Sequence, residues 1–395
     1  MINDRYVEEG IRRGLRAIAP DHTPGHLLPE TFDQTRRMAQ VSSSRAWRSV
    51  TNRAMPLGIV RAGLVITIVA LGLGLAIPRP LEPASPLVST VSGVWASDPT
   101  TAMTIERDPS DDRSFYWRAA AYDRIEAHGL SLSSASSVQL AAGTSLPQAT
   151  AEDLDRPNLR PFTFTVVPGS STARLVVSPG TPLTVNRPVT FTTVGRDGDL
   201  GMLSLSNDAP YTVTARVPNS VIADANELRA AGRMYPPEVT RLYTVQAVGI
   251  FGPNLRALQD EIVRTSDSAA PYDLAERLVT VLRSARYTYD TDVRDIDCGT
   301  MSAAECFAAT RRGYCIHYSM TMAVILRNLG VPARVVEGFL PGERSLGQST
   351  EVIRNWGAHA WVEVYFPGVG WVAFDPTALP SPRSIALPSP RSIRP

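Results

Sequence analysis

The stretch RRGYCIHYSMTMAVILRNLG, residues 311–330, decides the fold of the C-terminal part of this chain. Its apolar side chains recur at helical spacing, and Gly330 is a typical C-terminal stop. The pattern predicts a helix from about Cys315 to Asn328, which places Cys315 in the first turn. The positive end of the helix dipole lies at that turn and favours a thiolate there.

The patterns on both sides of this helix predict an α+β domain over residues 251–377. Helical spacing of apolar residues predicts two earlier helices, at 255–263 and 272–282. Alternating and β-branched runs predict three later strands, at 333–339, 358–366 and 371–374. The Pro-Gly turn at 367–370 joins the last two strands as a hairpin. This order indicates a cysteine helix packed on an antiparallel sheet.

An apolar segment closer to the N-terminus predicts a membrane helix over residues 55–78. Its central 21 residues read LGIVRAGLVITIVALGLGLAI, which matches the ~20 residues that span a hydrocarbon core. Arginines are frequent before the segment, so residues 1–54 are expected to be a cytoplasmic Arg-rich tail. Everything after the segment is then extracytoplasmic. A cleaved signal peptide is the alternative, although its charged leader is normally far shorter.

After a Pro-, Ser- and Thr-rich linker at 79–99, residues 100–250 carry short β-type signals. β-branched and aromatic runs predict strands at 162–167, 174–178, 189–194 and 211–217. A β-sandwich-like domain is the economical interpretation, with the Ser- and Ala-rich segment 131–148 as a loop. Residues 378–395 contain ALPSPRSI twice, and two prolines in eight residues predict a disordered tail. A basic surface tether is the alternative.

The chain has five histidines, and elimination leaves one that can pair with the Cys315 thiol. Two lie in the predicted cytoplasmic tail. His317 is about 200° around the predicted helix from Cys315, so it points away and is interpreted as a packing residue. His128 lies in the β-rich region with no acid or nucleophile pattern around it. His359, near the start of a predicted strand, remains.

Strand geometry supplies a carboxylate for this histidine. Asp375 ends the second strand of the predicted hairpin, which brings it beside the start of the His359 strand. Neighbouring strands lie ~4.8 Å apart, so an Asp375–His359 hydrogen bond is expected, whereas Glu363 would lie ~13 Å along the strand. Thiol, imidazole and carboxylate are the parts of an activated cysteine nucleophile. The alternative is a buried structural Cys315 beside an unrelated histidine.

Four motifs resemble the transglutaminase-like superfamily, in particular its bacterial membrane-anchored branch. They are GYC at 313–315, MAVILRNLGVPARVV at 322–336, AHAWVEVY at 358–365 and GWVAFDPT at 370–377. The specific resemblance covers about residues 270–377, and YWRA at 116–119 extends a weaker one towards residue 100. It implies a papain-like core in which Cys315 is the nucleophile, His359 the general base and acid, and Asp375 the residue that orients the imidazole.

The resemblance also implies an oxyanion donor from an aromatic residue upstream of the nucleophile, for which Tyr287 and Tyr289 are the candidates. Backbone N–H groups at the helix start can serve the same purpose.

Cys298 and Cys306 lie eight residues apart on the expected oxidising side of the membrane. They can form a disulfide that leaves Cys315 free, or stay unbonded. A metal site built from the three cysteines and His317 is a further alternative, but its spacing matches no familiar zinc pattern. No cofactor and no metal are therefore expected.

The composition limits the classes of partner that this chain is expected to bind. The formal net charge is +1 and no block of like charges occurs, which argues against a nucleic-acid partner. The expected partners are a protein or peptide substrate and the membrane, and the sequence does not predict an oligomeric state. All basic residues are arginine, so the chain lacks the lysine amine that would cross-link it to itself.

The sequence thus predicts an extracytoplasmic cysteine acyltransferase, peptidase or amidohydrolase that acts on protein or peptide amides through a thioester. Water as acceptor would give hydrolysis or deamidation, and an amine would give cross-linking. The alternatives are a catalytically inactive binding module of the same fold, or a structural envelope protein whose β-rich domain carries the function.

Overall fold

Strands from the N-terminal and C-terminal parts of the chain pair in the same two β-sheets. The computed structural model describes residues 99–133, 136–147, 159–169, 174–194, 199–218, 224–244 and 249–378. All of them belong to one compact unit, Leu81–Pro395. The predicted tail, membrane helix and repeat, and the linker up to residue 98, lie outside the described residues. Within the described ranges, no helix has the length and apolar character needed to cross a membrane.

The secondary structure elements are named in chain order. The strands are β1 (Thr101–Glu106), β2 (Trp117–Tyr122), β3 (Arg124–Glu126), β4 (Gly129–Ser131), β5 (Ser136–Leu140), β6 (Leu159–Pro168), β7 (Thr181–Val185), β8 (Val189–Val194), β9 (Asp199–Ser204), β10 (Tyr211–Pro218), β11 (Thr288–Tyr289), β12 (Arg312–Gly313), β13 (Ala333–Phe339), β14 (Thr350–Arg354), β15 (Ala358–Phe366) and β16 (Gly370–Phe374). The helices are α1 (Ala225–Ala230), α2 (Pro237–Tyr243), α3 (Pro253–Thr265), α4 (Pro271–Leu282), α5 (Ala303–Thr310) and α6 (Cys315–Asn328), and a 3-10 helix spans Asn355–Gly357.

Two antiparallel sheets organise the fold. The five-stranded sheet has the order β14-β1-β6-β10-β7, and the seven-stranded sheet has the order β16-β15-β13-β2-β9-β8-β5. β13 to β16 come from the predicted catalytic region, whereas the other strands come from the predicted β-rich region. β14 pairs with β1 in one sheet, and β13 pairs with β2 in the other. The predicted regions 100–250 and 251–377 are therefore joined through both sheets.

A first hydrophobic core contains side chains from both sheets. Its large members include Trp117, Phe164, Phe191 and Tyr211, all fully or almost fully buried. The Trp117 and Phe164 rings meet edge to face with centroids 5.1 Å apart. Apolar burial of this kind is the main favourable contribution to folding, so the two sheets stabilise each other.

A second hydrophobic core surrounds α6. Every residue of this helix from Cys315 to Arg327 is buried, because α6 packs on β13 and β15 and is also contacted by α3, α4 and α5. The Ser319 hydroxyl donates a hydrogen bond to the Ala360 carbonyl at 3.0 Å. The predicted α+β class, with the cysteine helix on an antiparallel sheet, is confirmed.

The bounds of α6 agree with the sequence prediction. The helix begins at Cys315 because Tyr314 has extended backbone angles, φ −114° and ψ −177°. It ends near Gly330, whose φ of +69° favours glycine. The predicted hairpin of β15 and β16 is also present, with Phe366 opposite Gly370 next to the turn.

The predictions for the β-rich region need correction at three places. The segment 131–148 is not a loop throughout, because β5 pairs with β8 through backbone bonds and through hydroxyl contacts such as Ser136–Thr193 at 2.8 Å. Residues 174–178 do not form a continuous strand but make isolated bridges, Leu175 with Ser204 and Ser178 with Arg118. The helices α1 and α2 interrupt a region expected to be β-rich, and Asp224 caps α1 through its side chain.

A buried ion pair ties the two sheets together. Arg107 directly follows β1, and its Nη2 lies 3.1 Å from Oε2 of Glu351 in β14, with each side chain 2% exposed. Glu351 Oε1 accepts hydrogen bonds from the Trp117 indole N–H at 3.0 Å and the Gly342 N–H at 2.8 Å. One carboxylate therefore connects β1 and β14 of the first sheet with β2 of the second.

Replacing this carboxylate should destabilise the protein strongly. Glu351→Ala leaves the Arg107 guanidinium buried without its counter-ion, so we expect the free energy of unfolding to fall by about 3–5 kcal/mol. Urea denaturation followed by tryptophan fluorescence measures the change. Asp292→Ala, which breaks the exposed Arg294–Asp292 pair, is the control and should cause no measurable change. Equal stability of the two variants would contradict this role of Glu351.

A disulfide lies just before the cysteine helix. Cys298 and Cys306 are bonded, with their Cα atoms 5.4 Å apart. Cys306 belongs to α5, so the bond ties the preceding loop to that helix, and Cys315 is a free, buried cysteine. Among the described residues, no group of three or more His, Cys, Asp or Glu side chains could hold a metal ion.

The disulfide predicts the number of titratable thiols. The chain has three cysteines, and two of them are bonded. The protein unfolded in denaturant without reductant should therefore react with one equivalent of a thiol reagent such as DTNB. After reduction and removal of the reductant it should react with three. Three equivalents before reduction would show that Cys298 and Cys306 are not bonded in the isolated protein.

Candidate active site

The Cys315 thiol lies at the N-terminal end of a buried helix. Gly313 precedes it in β12, and a Cβ atom added at Gly313 would come within 2.9 Å of the His317 ring. The Tyr314 N–H donates to His317 Nδ1 at 3.3 Å, and the His317 ring packs against Tyr314 and Phe307. His317 is thus engaged in packing and in the helix start, as its position on the helix predicts.

The imidazole and the carboxylate meet at one end of the β15–β16 hairpin. His359 is the second residue of β15, and Asp375 directly follows β16. His359 Nε2 lies 2.9 Å from Asp375 Oδ2, with side chains 1% and 6% exposed. The other carboxylate oxygen, Oδ1, accepts the Thr377 N–H at 2.9 Å. The structure therefore brings together the histidine and aspartate singled out in the sequence.

The thiol completes the arrangement. A hydrogen bond joins the His359 and Cys315 side chains. Asp375 occupies Nε2, so Nδ1 is the ring nitrogen that faces the sulfur. Burial disfavours the imidazolium, but the charge and hydrogen bond of Asp375 and the contact with Cys315 outweigh it and raise the pKa of His359 to about 10. The imidazole is therefore poised to hold a proton between thiol and carboxylate.

The carboxylate is matched to this charged partner. Burial alone would raise the pKa of Asp375, but the imidazolium charge, its hydrogen bond and the Thr377 N–H lower it below the ordinary value. Between the two pKa values, Asp375 is ionised and His359 is protonated. A buried carboxylate and imidazolium of this kind stabilise each other's charged forms.

One of the two candidate tyrosines reaches the thiol. The parallel pairing of β11 with β12 places Tyr289 opposite Gly313. The Tyr289 hydroxyl forms hydrogen bonds with the backbone and the side chain of Cys315, and burial together with this contact raises the pKa of the phenol. Tyr287 instead stacks on Phe307, with ring centroids 5.5 Å apart. Of the two, Tyr289 is the one placed to act beside the sulfur.

Two further residues contact the Asp375 carboxylate, and the sequence did not predict either contact. The Tyr116 hydroxyl donates to Oδ2 at 3.0 Å, and Arg283 Nη2 lies 3.9 Å from the same atom. Tyr116 is 259 residues away in the chain. Its YWRA motif could be noticed in the sequence, but only the strand pairing shows where the hydroxyl lies.

Comparisons with known proteins identify relatives of the segment that carries this site. Residues 256–376, which contain all three side chains, match the family model of the transglutaminase-like superfamily. The uncharacterized protein YebA of Bacillus subtilis is 39% identical over 184 residues, covering 44% of this chain and 24% of that protein. A protein-glutamine gamma-glutamyltransferase of Pseudomonas aeruginosa is 34% identical over 146 residues, covering 37% of this chain and 21% of that protein.

This chain therefore spans less than a quarter of the length of these curated relatives. Among solved structures, the periplasmic domain of TgpA from Pseudomonas aeruginosa bound to ethylmercury superposes with a TM-score of 0.50 and 20% identity. The match covers 73% of this chain and 93% of that one, and it supports the fold. Residues 256–376 therefore form a transglutaminase-like domain, which is the part of the chain that the family model matches.

Proposed function

We propose that this chain is a membrane-anchored, extracytoplasmic cysteine enzyme that forms a thioester with the acyl group of a protein or peptide amide. The observation that carries the proposal is the buried His359 imidazole, hydrogen-bonded to Asp375 on one side and to Cys315 on the other. The name of the Pseudomonas relative, a protein-glutamine gamma-glutamyltransferase, favours a glutamine side chain as the acyl donor.

The acylation step follows from the three side chains. The Cys315 thiolate attacks the amide carbonyl carbon, and the carbonyl oxygen takes up negative charge. The carbon–nitrogen bond then breaks, and the His359 imidazolium gives its proton to the departing nitrogen. The products are a thioester on Cys315, ammonia from a glutamine side chain, and a neutral imidazole whose orientation Asp375 maintains.

The second step returns the enzyme to its starting state. Neutral His359 takes a proton from an amine or a water molecule as that nucleophile attacks the thioester. An amine yields a cross-link, and water yields the carboxylic acid. Tyr289 and the backbone N–H groups at the start of α6 are the candidate donors to the oxyanion, because both lie beside the sulfur.

The proposed location rests on two observations. The apolar segment within residues 55–78 has the length and flanking arginines of a membrane helix whose following residues are extracytoplasmic. The Cys298–Cys306 disulfide is of the kind that persists in oxidising compartments. A thiol enzyme outside the cytoplasm needs its nucleophile kept apart from other thiols, and Cys315 is the cysteine left unbonded.

Removing the sulfur should abolish the reaction. We expect Cys315→Ala to lower the rate by at least about a thousandfold, because loss of the nucleophile disables the whole triad. The measurements are ammonia release and incorporation of a fluorescent primary amine into casein. Asn328→Ala, at the exposed C-terminal end of α6, is the control and should keep most of the rate. Full activity of Cys315→Ala would rule out the proposed mechanism.

The pH dependence should report on His359. The imidazolium is the proton donor, so the rate should fall as pH rises through its pKa of about 10. Asp375 holds that pKa above the ordinary value of 6.5. Asp375→Asn removes the negative charge, so the alkaline limb of kcat/KM should move to lower pH and the maximum rate should fall.

The measurement is kcat/KM for amine incorporation across the pH range in wild type and Asp375→Asn. An alkaline limb at the same pH in both proteins would show that His359 is not the group whose ionisation limits the rate. Asp292→Asn removes an exposed carboxylate and controls for the general effect of one lost charge.

A further inference from the structure

A hydroxyl from the β-rich region reaches the carboxylate of the candidate triad. Tyr116 directly precedes β2, and its hydroxyl donates to Asp375 Oδ2 at 3.0 Å. That oxygen is the same one that contacts His359 Nε2 at 2.9 Å. The residue lies outside the segment 256–376 that matches the superfamily.

We propose that Tyr116 is a positioning residue of the triad, which holds the Asp375 carboxylate in the orientation that serves His359. The proposal rests on the function proposed above and adds a residue from outside the matched domain. Tyr116 acts through Asp375, the residue to which its hydroxyl donates.

The strand register explains why the hydroxyl reaches this place. Trp117 at the start of β2 lies opposite Phe339 of β13, and Phe339 lies opposite Ala358 at the start of β15. Tyr116 and His359 are the neighbours of Trp117 and Ala358, so they lie at the same end of the seven-stranded sheet. Antiparallel pairing of three strands thus fixes the distance between them.

Packing fixes the direction of the phenol. The Tyr116 ring meets the Trp361 ring edge to face, with centroids 5.2 Å apart, and lies 6.4 Å from the His359 ring. Burial and the neighbouring Asp375 charge raise the pKa of Tyr116. The hydroxyl therefore stays a neutral donor throughout the range in which a cysteine enzyme works.

The Tyr116 hydrogen bond matters because the Arg283 guanidinium competes with His359 for the Asp375 carboxylate. Arg283 Nη2 lies 3.9 Å from Asp375 Oδ2, and its side chain is 47% exposed. Without the Tyr116 hydrogen bond, the carboxylate can turn towards the guanidinium and away from the imidazole. His359 would then lose part of the support for its charged form, and the thiolate would lose its stabilising partner.

Asp375 contacts His359, Arg283 and Tyr116 contact Asp375, and Tyr289 contacts Cys315. Tyr116→Phe removes one hydroxyl from this set and leaves every charge in place. A change in the alkylation rate of the Cys315 thiol therefore reports the orientation of the carboxylate.

The chain provides a matched control. Tyr122 lies in β2 itself, and its hydroxyl donates to another buried carboxylate, Glu337 Oε2, at 3.0 Å. Tyr122→Phe makes the same chemical change at the other end of the same strand without touching the triad. Any effect of losing a buried hydroxyl on stability is common to both variants.

The experiment measures alkylation of the full chain by iodoacetamide from about pH 4 to pH 10, where thiolate formation controls the rate. Because Cys298 and Cys306 are bonded, the reagent reports on Cys315. At acidic pH, wild type should be alkylated much faster than a free cysteine, because the neighbouring imidazolium favours the reactive thiolate. In Tyr116→Phe, alkylation at acidic pH should be about tenfold slower than in wild type, the size expected for one hydrogen bond to a charged group.

Tyr122→Phe should follow the wild-type curve. Coincident curves for Tyr116→Phe and wild type would overturn the proposal, and so would equal shifts in both tyrosine variants, because the effect would then be a general loss of stability. Wild-type alkylation that is no faster at acidic pH than that of a free cysteine would instead reject the proposed enzymatic function itself.

Discussion

The buried hydrogen bond between His359 and Asp375 is the constraint on which the site depends. An imidazolium or a carboxylate removed from water is unfavourable alone, and each is tolerated here because the other is 2.9 Å away. The hairpin of β15 and β16 brings them together, and the Thr377 N–H and the Tyr116 hydroxyl saturate the carboxylate. The thiol at the start of α6 then adds the third member without exposing either charge.

The position of that thiol is fixed by α6, a helix that is buried on all sides. α6 packs on the sheet through residues such as Ser319, which donates to the Ala360 carbonyl of β15, and it is covered by α3, α4 and α5. A helix held on every face has little freedom to shift along its axis, because protein interiors are packed at nearly crystalline density. The position of Cys315 relative to His359 is thereby set by packing, not by a flexible loop.

Local patterns in the sequence were enough for part of this architecture. The first turn of α6, the alternation along β15 and the short turn before β16 are each encoded within a few residues, so the neighbourhood of Cys315, His359 and Asp375 could be anticipated. The pairing of β1 with β14 and of β2 with β13 could not be anticipated, because it joins strands that are far apart in the chain. For the same reason, the contact of Tyr116 with Asp375 could not be predicted from the sequence. Strand β5 was not predicted because its Ser-rich composition is typical of loops. In the structure, hydroxyl contacts between β5 and β8 support the pairing of these strands.

The pairing of β2 with β13 and of β1 with β14 also bears on how this domain could spread through evolution. The segment that matches the superfamily is not an independent folding unit in this chain, because its strands share both sheets with the preceding region. If it were transplanted without the preceding strands, β13 and β14 would present bare backbone donors and acceptors along their edges, which invites pairing with other chains. Recombination that preserved activity would have to carry both sheets together, so the β-rich region and the matched segment are expected to be inherited as one unit.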